Sequence, residues 1–243
     1  MTGTTTPPRP PGLRRGYREV SVAAVAGGHT VALDTKTLRT PAGTDIVAPT
    51  PALAEAIAAE WRAQGDKIDL NTLPMTRIAA TALDRVRPRR ADLIDELMAY
   101  AETELLCHRA ADPPALVERQ AATWQPLLDW LARHFDAPLS VTTGIHVRPH
   151  PPASLAALRR ALAQSDDWRL AGLAVAVGIG GSLVIGLALA EGRLDADQAF
   201  DAAELDATFQ IEKWGEDAEA TARRREIRAE LGAAARFLGL IAG

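Results

Sequence analysis

Residues 170–190, "LAGLAVAVGIGGSLVIGLALA", decide the fold. The run carries no charge and is long enough to cross a bilayer, and small residues recur every fourth position at Gly178, Ser182 and Gly186. About half of it is Gly, Ala or Ser, so its hydrophobicity per residue is modest. Adjacent glycines at Gly180-Gly181 would also interrupt a single span. The segment is therefore read as two helices inside a helical core, joined near Gly178–Gly181, with no stable membrane insertion.

Composition agrees with that choice. The 243 residues are 47% hydrophobic and 24% charged, as in an ordinary globular protein. A net charge of −4 argues against nucleic-acid binding, and the single Cys107 cannot form an internal disulfide, which suits a reducing compartment. Residues 1–16, "MTGTTTPPRPPGLRRG", hold no apolar run and read as a disordered tail; "PPRPP" is compatible with a proline-binding partner or with simple solvation.

Upstream the pattern is that of strands. Tyr17–Val25, His29–Leu33 and Ile46–Ala48 are β-rich runs separated by turn residues, and Val20, Val22, Val31 and Leu33 alternate so as to bury one face. Thr50-Pro51 then opens a helix with Leu53, Ile57 and Trp61 on one side, for which Gly65 is the expected C-cap. Further helices are predicted near 74–86, 89–101, 114–134, 152–164, 168–178, 182–191, 196–213 and 217–240. Only 137–149 is extended, as an edge strand or a long linker. The expected fold class is α+β: a small antiparallel β domain with one helix over 17–70, then an all-α domain over 71–243.

Catalytic signatures are incomplete. Gly178-x-Gly180 starts a dinucleotide fingerprint whose third glycine is replaced by Leu183, and Gly180-Gly181-Ser182-Leu183 is followed by Val184 rather than the glycine of a nucleophile elbow. Pro149 separates His146 from His150, so that pair lacks helical metal-ligand geometry. Catalytic residues, metal and cofactors are each expected to be none. A small-molecule enzyme using Gly178–Gly186 is the alternative function.

The carboxylates concentrate elsewhere, in "FQIEKWGEDAEA" (209–220). Between Glu191 and Ala220 ten acids face Arg193 and Lys213, a local net of −8. On a helical wheel Glu212, Glu216 and Glu219 share a stripe in which only Glu219 has a cation four residues on, Arg223. Lys213 and Asp217 pair elsewhere. The field would steer a basic partner surface, or the residues form a solvated helix face.

These residues resemble a known family. "IEKWGEDAEA" (211–220), "RTPAG" (39–43), "LAEAIAAEWRAQGDKID" (53–69), "LPMTRIAATALDRV" (73–86), "TELLCHRA" (103–110), "RQAATWQPLLDWL" (119–131) and "GSLVIGLALAEGRLDADQAF" (181–200) are similar to the ATP twelve family of assembly chaperones. The resemblance implies a non-enzymatic chaperone, a monomer, that binds the free alpha subunit of ATP synthase until the catalytic head assembles. It implies a bacterial cytoplasmic location, or the mitochondrial matrix in a eukaryote. It also places the functional focus on Trp214, Gly215, Glu216 and Asp217, Glu216 first, with Glu212 added by the acidic stripe. Two geometries remain open: an exposed indole with carboxylates that match client arginines, or Trp214 in the core, Gly215 as a helix break and Glu216 as a cap. "DTKT" (34–37) lacks the family's Asp-Gly turn. In the 73–86 segment, Met75, Ile78, Ala82 and Leu83 read as core and Arg77 with Asp84 as an interhelical ion pair.

Overall fold

Thr50 marks the point where strands give way to helices. Its hydroxyl accepts from Leu53 N at 3.1 Å, and Pro51 then starts a helix where a missing N–H costs nothing. The computed structural model describes residues 14–144, 148–215 and 217–242. The expected tail up to residue 13, with "PPRPP", lies outside them, as do His146 and Glu216.

Before Thr50 runs an antiparallel sheet of β1 (Val20–Val25), β2 (Gly28–Leu33), β3 (Lys36–Thr37) and β4 (Val47–Ala48). Strand β2 pairs with β1 on one edge and with both β3 and β4 on the other. Val22 faces Val31 and Val20 faces Leu33, so the alternating apolar residues do share one face. Gly28 admits β4: a Cβ there would lie 2.3 Å from the Ala48 carbonyl oxygen. The hairpin after β2 needs no glycine. Asp34 itself adopts φ 54°, which aspartate tolerates, and its carboxylate accepts from Arg18 N and Glu19 N at 2.9 and 2.8 Å. Those bonds, Glu19's first, hold its pKa below the usual value.

Ten α-helices follow among the described residues. Helix α1 (Pro51–Arg62) is capped at Ala63 rather than Gly65, since Ala63 N already reaches the Ala59 carbonyl in ordinary helical geometry. Next come α2 (Pro74–Thr81), a π-helical turn (Ala82–Val86), a 3-10 turn (Arg87–Arg89) and α3 (Arg90–Glu102). Strand β5 (His108–Arg109) precedes α4 (Pro114–Phe135), and β6 (Thr142–Thr143) pairs with it in parallel, so part of the extended 137–149 stretch is a short strand. The chain ends in α5 (Pro152–Gln164), α6 (Asp167–Gly180), α7 (Leu183–Ala190), α8 (Ala196–Ala203), α9 (Leu205–Trp214) and α10 (Ala218–Ile241). One apolar core runs through both parts, from Tyr17 and Val31 through Leu53 and Met75 to Phe237. No described helix is long and apolar enough to cross a membrane.

Buried carboxylates close two helix starts. Leu73 offers no side-chain cap to α2, and Glu60 from α1 substitutes. It accepts from Met75 N at 2.6 Å, Thr76 N at 2.9 Å and the Thr76 hydroxyl at 2.7 Å. Glu104, fully buried, does the same for α7, accepting from Leu183 N at 3.0 Å, Val184 N at 3.3 Å and the Ser182 hydroxyl. Its burial raises the pKa to about 7, against those hydrogen bonds. Burial also pushes the neighbouring Cys107 thiol up to about 12, so it stays an inert core thiol.

Candidate functional site

The C-terminal elbow is built from the end of α9 inward. Gly215 takes φ 84°, a conformation that L side chains rarely adopt, and its N–H closes the last turn on the Ile211 carbonyl at 2.8 Å. Asp217 then caps α10 by accepting from Ala220 N at 2.7 Å. The weak point inside a helix-favouring stretch is thus a corner between two helices, and Trp214 stands on its outside.

Trp214 is 74% exposed, the most open of the exposed large apolar side chains. The alternative in which it packs in the core is overturned, because Leu205 and Phe209, earlier on the same helix, fill the inward face. Glu216 lies outside the described residues. Among the expected site residues the fold brings Glu212, Trp214, Gly215 and Asp217 together on this elbow.

The acidic field is more closely paired than the composition suggests. Glu212 does have a cation: Arg119 of α4 donates to its two carboxylate oxygens at 3.0 and 2.8 Å. That bidentate bond lowers the Glu212 pKa and raises that of Arg119. Arg224 binds Glu204 at 3.0 Å and the Thr208 hydroxyl at 2.9 Å. Arg228 engages Asp197 and Asp201, Arg169 holds Glu191, and Gln120 donates to Asp206 at 2.8 Å. Six of the ten acids therefore fasten α8, α9 and the end of α7 to α4, α6 and α10. Lys213 and Asp217 do not pair: the ammonium lies 4.6 Å from the Phe209 ring centre, and Asp217 is occupied as a cap.

Two further expectations are corrected nearby. Arg77 binds Glu230 of α10 at 2.6 Å rather than Asp84. Asp84 instead accepts from the Thr40 hydroxyl at 2.7 Å and Ala42 N at 3.1 Å, so it pins the "RTPAG" loop to the π-helical turn. Met75, Ile78, Ala82 and Leu83 are buried as expected.

The glycine-rich corner has another use than phosphate binding. Gly181 takes φ 67° to end α6, Ser182 caps α7, and the first N–H groups of α7 are bonded to Glu104. The N–H groups of Gly181, Leu183, Val184 and Ile185 are thus already bonded within the protein and are not offered to a phosphate. Gly172 and Gly186 are packing glycines: a Cβ would lie 2.7 Å from Leu238 Cδ2 and 2.4 Å from Val177 Cγ2 respectively. Among the described residues, no group of three or more His, Cys, Asp or Glu could hold a metal ion. His150 is buried, accepts from Ser140 N at 3.1 Å, and has its pKa lowered by burial and by nearby His108.

Comparison with known proteins completes the picture. The family model described as ATP12 chaperone protein matches residues 14–132. The crystal structure of Atp12 from Paracoccus denitrificans is 40% identical, with a TM-score of 0.90 over 94% of this chain and 98% of that one. An aspartate-to-lysine variant of the same protein superposes equally, at 40% identity, a TM-score of 0.90 and coverage of 94% and 97%. The mitochondrial protein atp12 of Schizosaccharomyces pombe is 23% identical over 226 residues, 88% of this chain and 78% of its own length.

Proposed function

The chain belongs to the ATP12 chaperone family, and on that premise we propose that it is a non-enzymatic assembly chaperone for ATP synthase. It binds the free alpha subunit and shields its assembly surface until the catalytic hexamer forms. The observation that carries this reading is Trp214, held 74% exposed on a corner fixed by Gly215 and Asp217. An indole presented on a rigid elbow has little conformational freedom left to lose on binding, and aromatic anchors dominate protein interfaces.

The chemistry around the indole suits a transient contact. Glu212 and Arg119 are half-exposed, so a client arginine can share the carboxylate without stranding a buried charge. Asp217 and Glu216 extend the acidic side in sequence. A free alpha subunit exposes the apolar surface it later buries against its neighbours, and such surface aggregates. A small, replaceable contact covers it, and the larger interface of the obligate partner subunit then displaces the chaperone. The proposed setting is a bacterial cytoplasm, with a mitochondrial matrix for a eukaryotic counterpart, and a monomer that needs neither cofactor nor nucleic acid.

The test is capture by the purified chain of isolated alpha or beta subunits in the absence of nucleotide. Selective retention of alpha, lost in Trp214→Ala and Glu216→Lys, supports the proposal. Equal retention of both subunits, or of neither, ends it.

A further inference from the structure

Three clefts on the outside of the helical part meet on α6. The first lies against α3 and the π-helical turn and reaches Ala174 and Gly178; its volume is about 480 Å³. The second, about 450 Å³, passes from Ile78 to Ile179. The third, about 740 Å³, continues along α10 to Arg223 and Ile227. Gly178 lines all three, so they form one groove that crosses the C-terminal half of α6.

Intramolecular packing does not explain the residues on its floor. Gly172 and Gly186 have neighbours that exclude a side chain, whereas a Cβ on Gly178 would meet nothing within 4 Å. Glycine there weakens the helix with no return inside this chain. Beside it Ile179 is 37% exposed, on a helix whose other aliphatic residues are buried or half-buried. Ala174 and Gly178 stand one turn apart, which leaves a strip low enough for the backbone of another helix to approach.

The charges on the rim select the occupant. Arg77 and Glu230 close on each other beside the floor. Arg85 and Glu96 flank the α3 end, and Arg223 and Glu226 the α10 end; all four are exposed and have no ion-pair partner among the described residues. Among the described residues, each end therefore presents one cation and one anion outside any ion pair. That pattern suits a helix with an apolar stripe bordered by charges of both signs, and it opposes a nucleic acid or a uniformly charged tail. The α10 end of the groove lies close to the elbow, because Arg223 is in the second turn of the helix that Asp217 starts.

We propose that this groove receives an amphipathic helix of the same client that Trp214 engages, so that the chaperone holds it at two places on one rigid body. The proposal rests on the chaperone reading above and adds a second contact to it. Two weak contacts on one scaffold multiply in affinity, while each remains open to displacement in turn.

The experiment titrates the full chain against isolated alpha subunit, without nucleotide, by calorimetry or optical biosensor. Gly178→Leu fills the groove from a position with open space, and Ile179→Asp places a charge on its floor. Each weakens binding by about tenfold or more, with the melting temperature kept within about 2 °C. If Ile179→Asp melts early, Gly178→Leu alone decides. Wild-type affinity in the folded variants overturns the groove and leaves the elbow standing. A wild-type chain that does not bind alpha subunit sinks both proposals. A wild-type dimer that Ile179→Asp converts to a monomer assigns the groove to a second copy and overturns it as a client site.

Discussion

Arg119 and Glu212, 93 residues apart in the chain, share two hydrogen bonds of 3.0 and 2.8 Å that tie the second turn of one long helix to the last turn before the elbow. The pair sits at the surface, so its worth is in orientation more than in stability. It fixes the direction in which α9 delivers Trp214.

Reversing one charge should therefore disturb binding more than folding. Glu212→Lys is expected to lower capture of the alpha subunit several-fold, while the thermal midpoint changes little. The exchange Arg119→Glu with Glu212→Arg restores the pair in mirror form. It should recover capture if positioning is the role of the pair; if the exchanged protein stays as weak as the single variant, the carboxylate itself meets the client.

Trp214→Ala separates the same two quantities more sharply. A side chain this exposed contributes about 0.5 kcal/mol or less to folding. Its loss from an interface anchor costs about 2 kcal/mol of binding, roughly thirtyfold. Equal loss in melting and binding would mean that the indole packs on its own fold.

Glu104 makes stability depend on pH. Its pKa in the fold, about 7, lies above the ordinary 4.5, so the folded chain holds a proton that the unfolded chain has lost between those values. The contribution is complete below 4.5 and disappears as pH rises through about 7; it is at most about 3 kcal/mol. Thermal melts of wild type and Glu104→Gln between about pH 5 and pH 8 test this. The wild type should lose the more stability across that range, and parallel curves would show that Glu104 titrates normally.

Gly186 and Gly178 should respond oppositely to the same substitution. Gly186→Ala drives a methyl to within 2.4 Å of Val177 Cγ2 and should cost about 1–3 kcal/mol. Gly178→Ala meets open space and should gain about 0.5 kcal/mol from helix propensity. Chemical denaturation of the two variants gives both signs in one experiment.

Features set by near neighbours in sequence were legible before any coordinates. Thr50-Pro51 opened a helix, the valines of β1 and β2 declared a buried face, and Gly180-Gly181-Ser182 broke the apolar run into two helices as its composition required. The turn type of the hairpin at "DTKT", where Thr35 stands in place of the family's glycine, was open in the sequence; Asp34 takes the left-handed position. What escaped were partners brought together by the fold. Glu104 lies just past the helix expected at 89–101, and nothing local marks it until Ser182, 78 residues on, is placed against it. Asp84 meets the loop at Thr40 and Ala42, and Glu212 meets Arg119, and no helical wheel contains either partner. The count of acids was right, but the arginines of α4 and α10 that answer them are invisible to a local window.

The hydroxyl that opens α1 also reaches α10: Thr50 Oγ1 donates to the Leu240 carbonyl at 2.6 Å, across 190 residues. During synthesis this latch has nothing to close on until α10 has left the ribosome. The early strands and α1 must wait, with part of their apolar side open, for a helix translated more than 150 residues after them. The strands and α1 are thus unfinished until α10 arrives, and a nonsense codon within α10 should leave them without this closure.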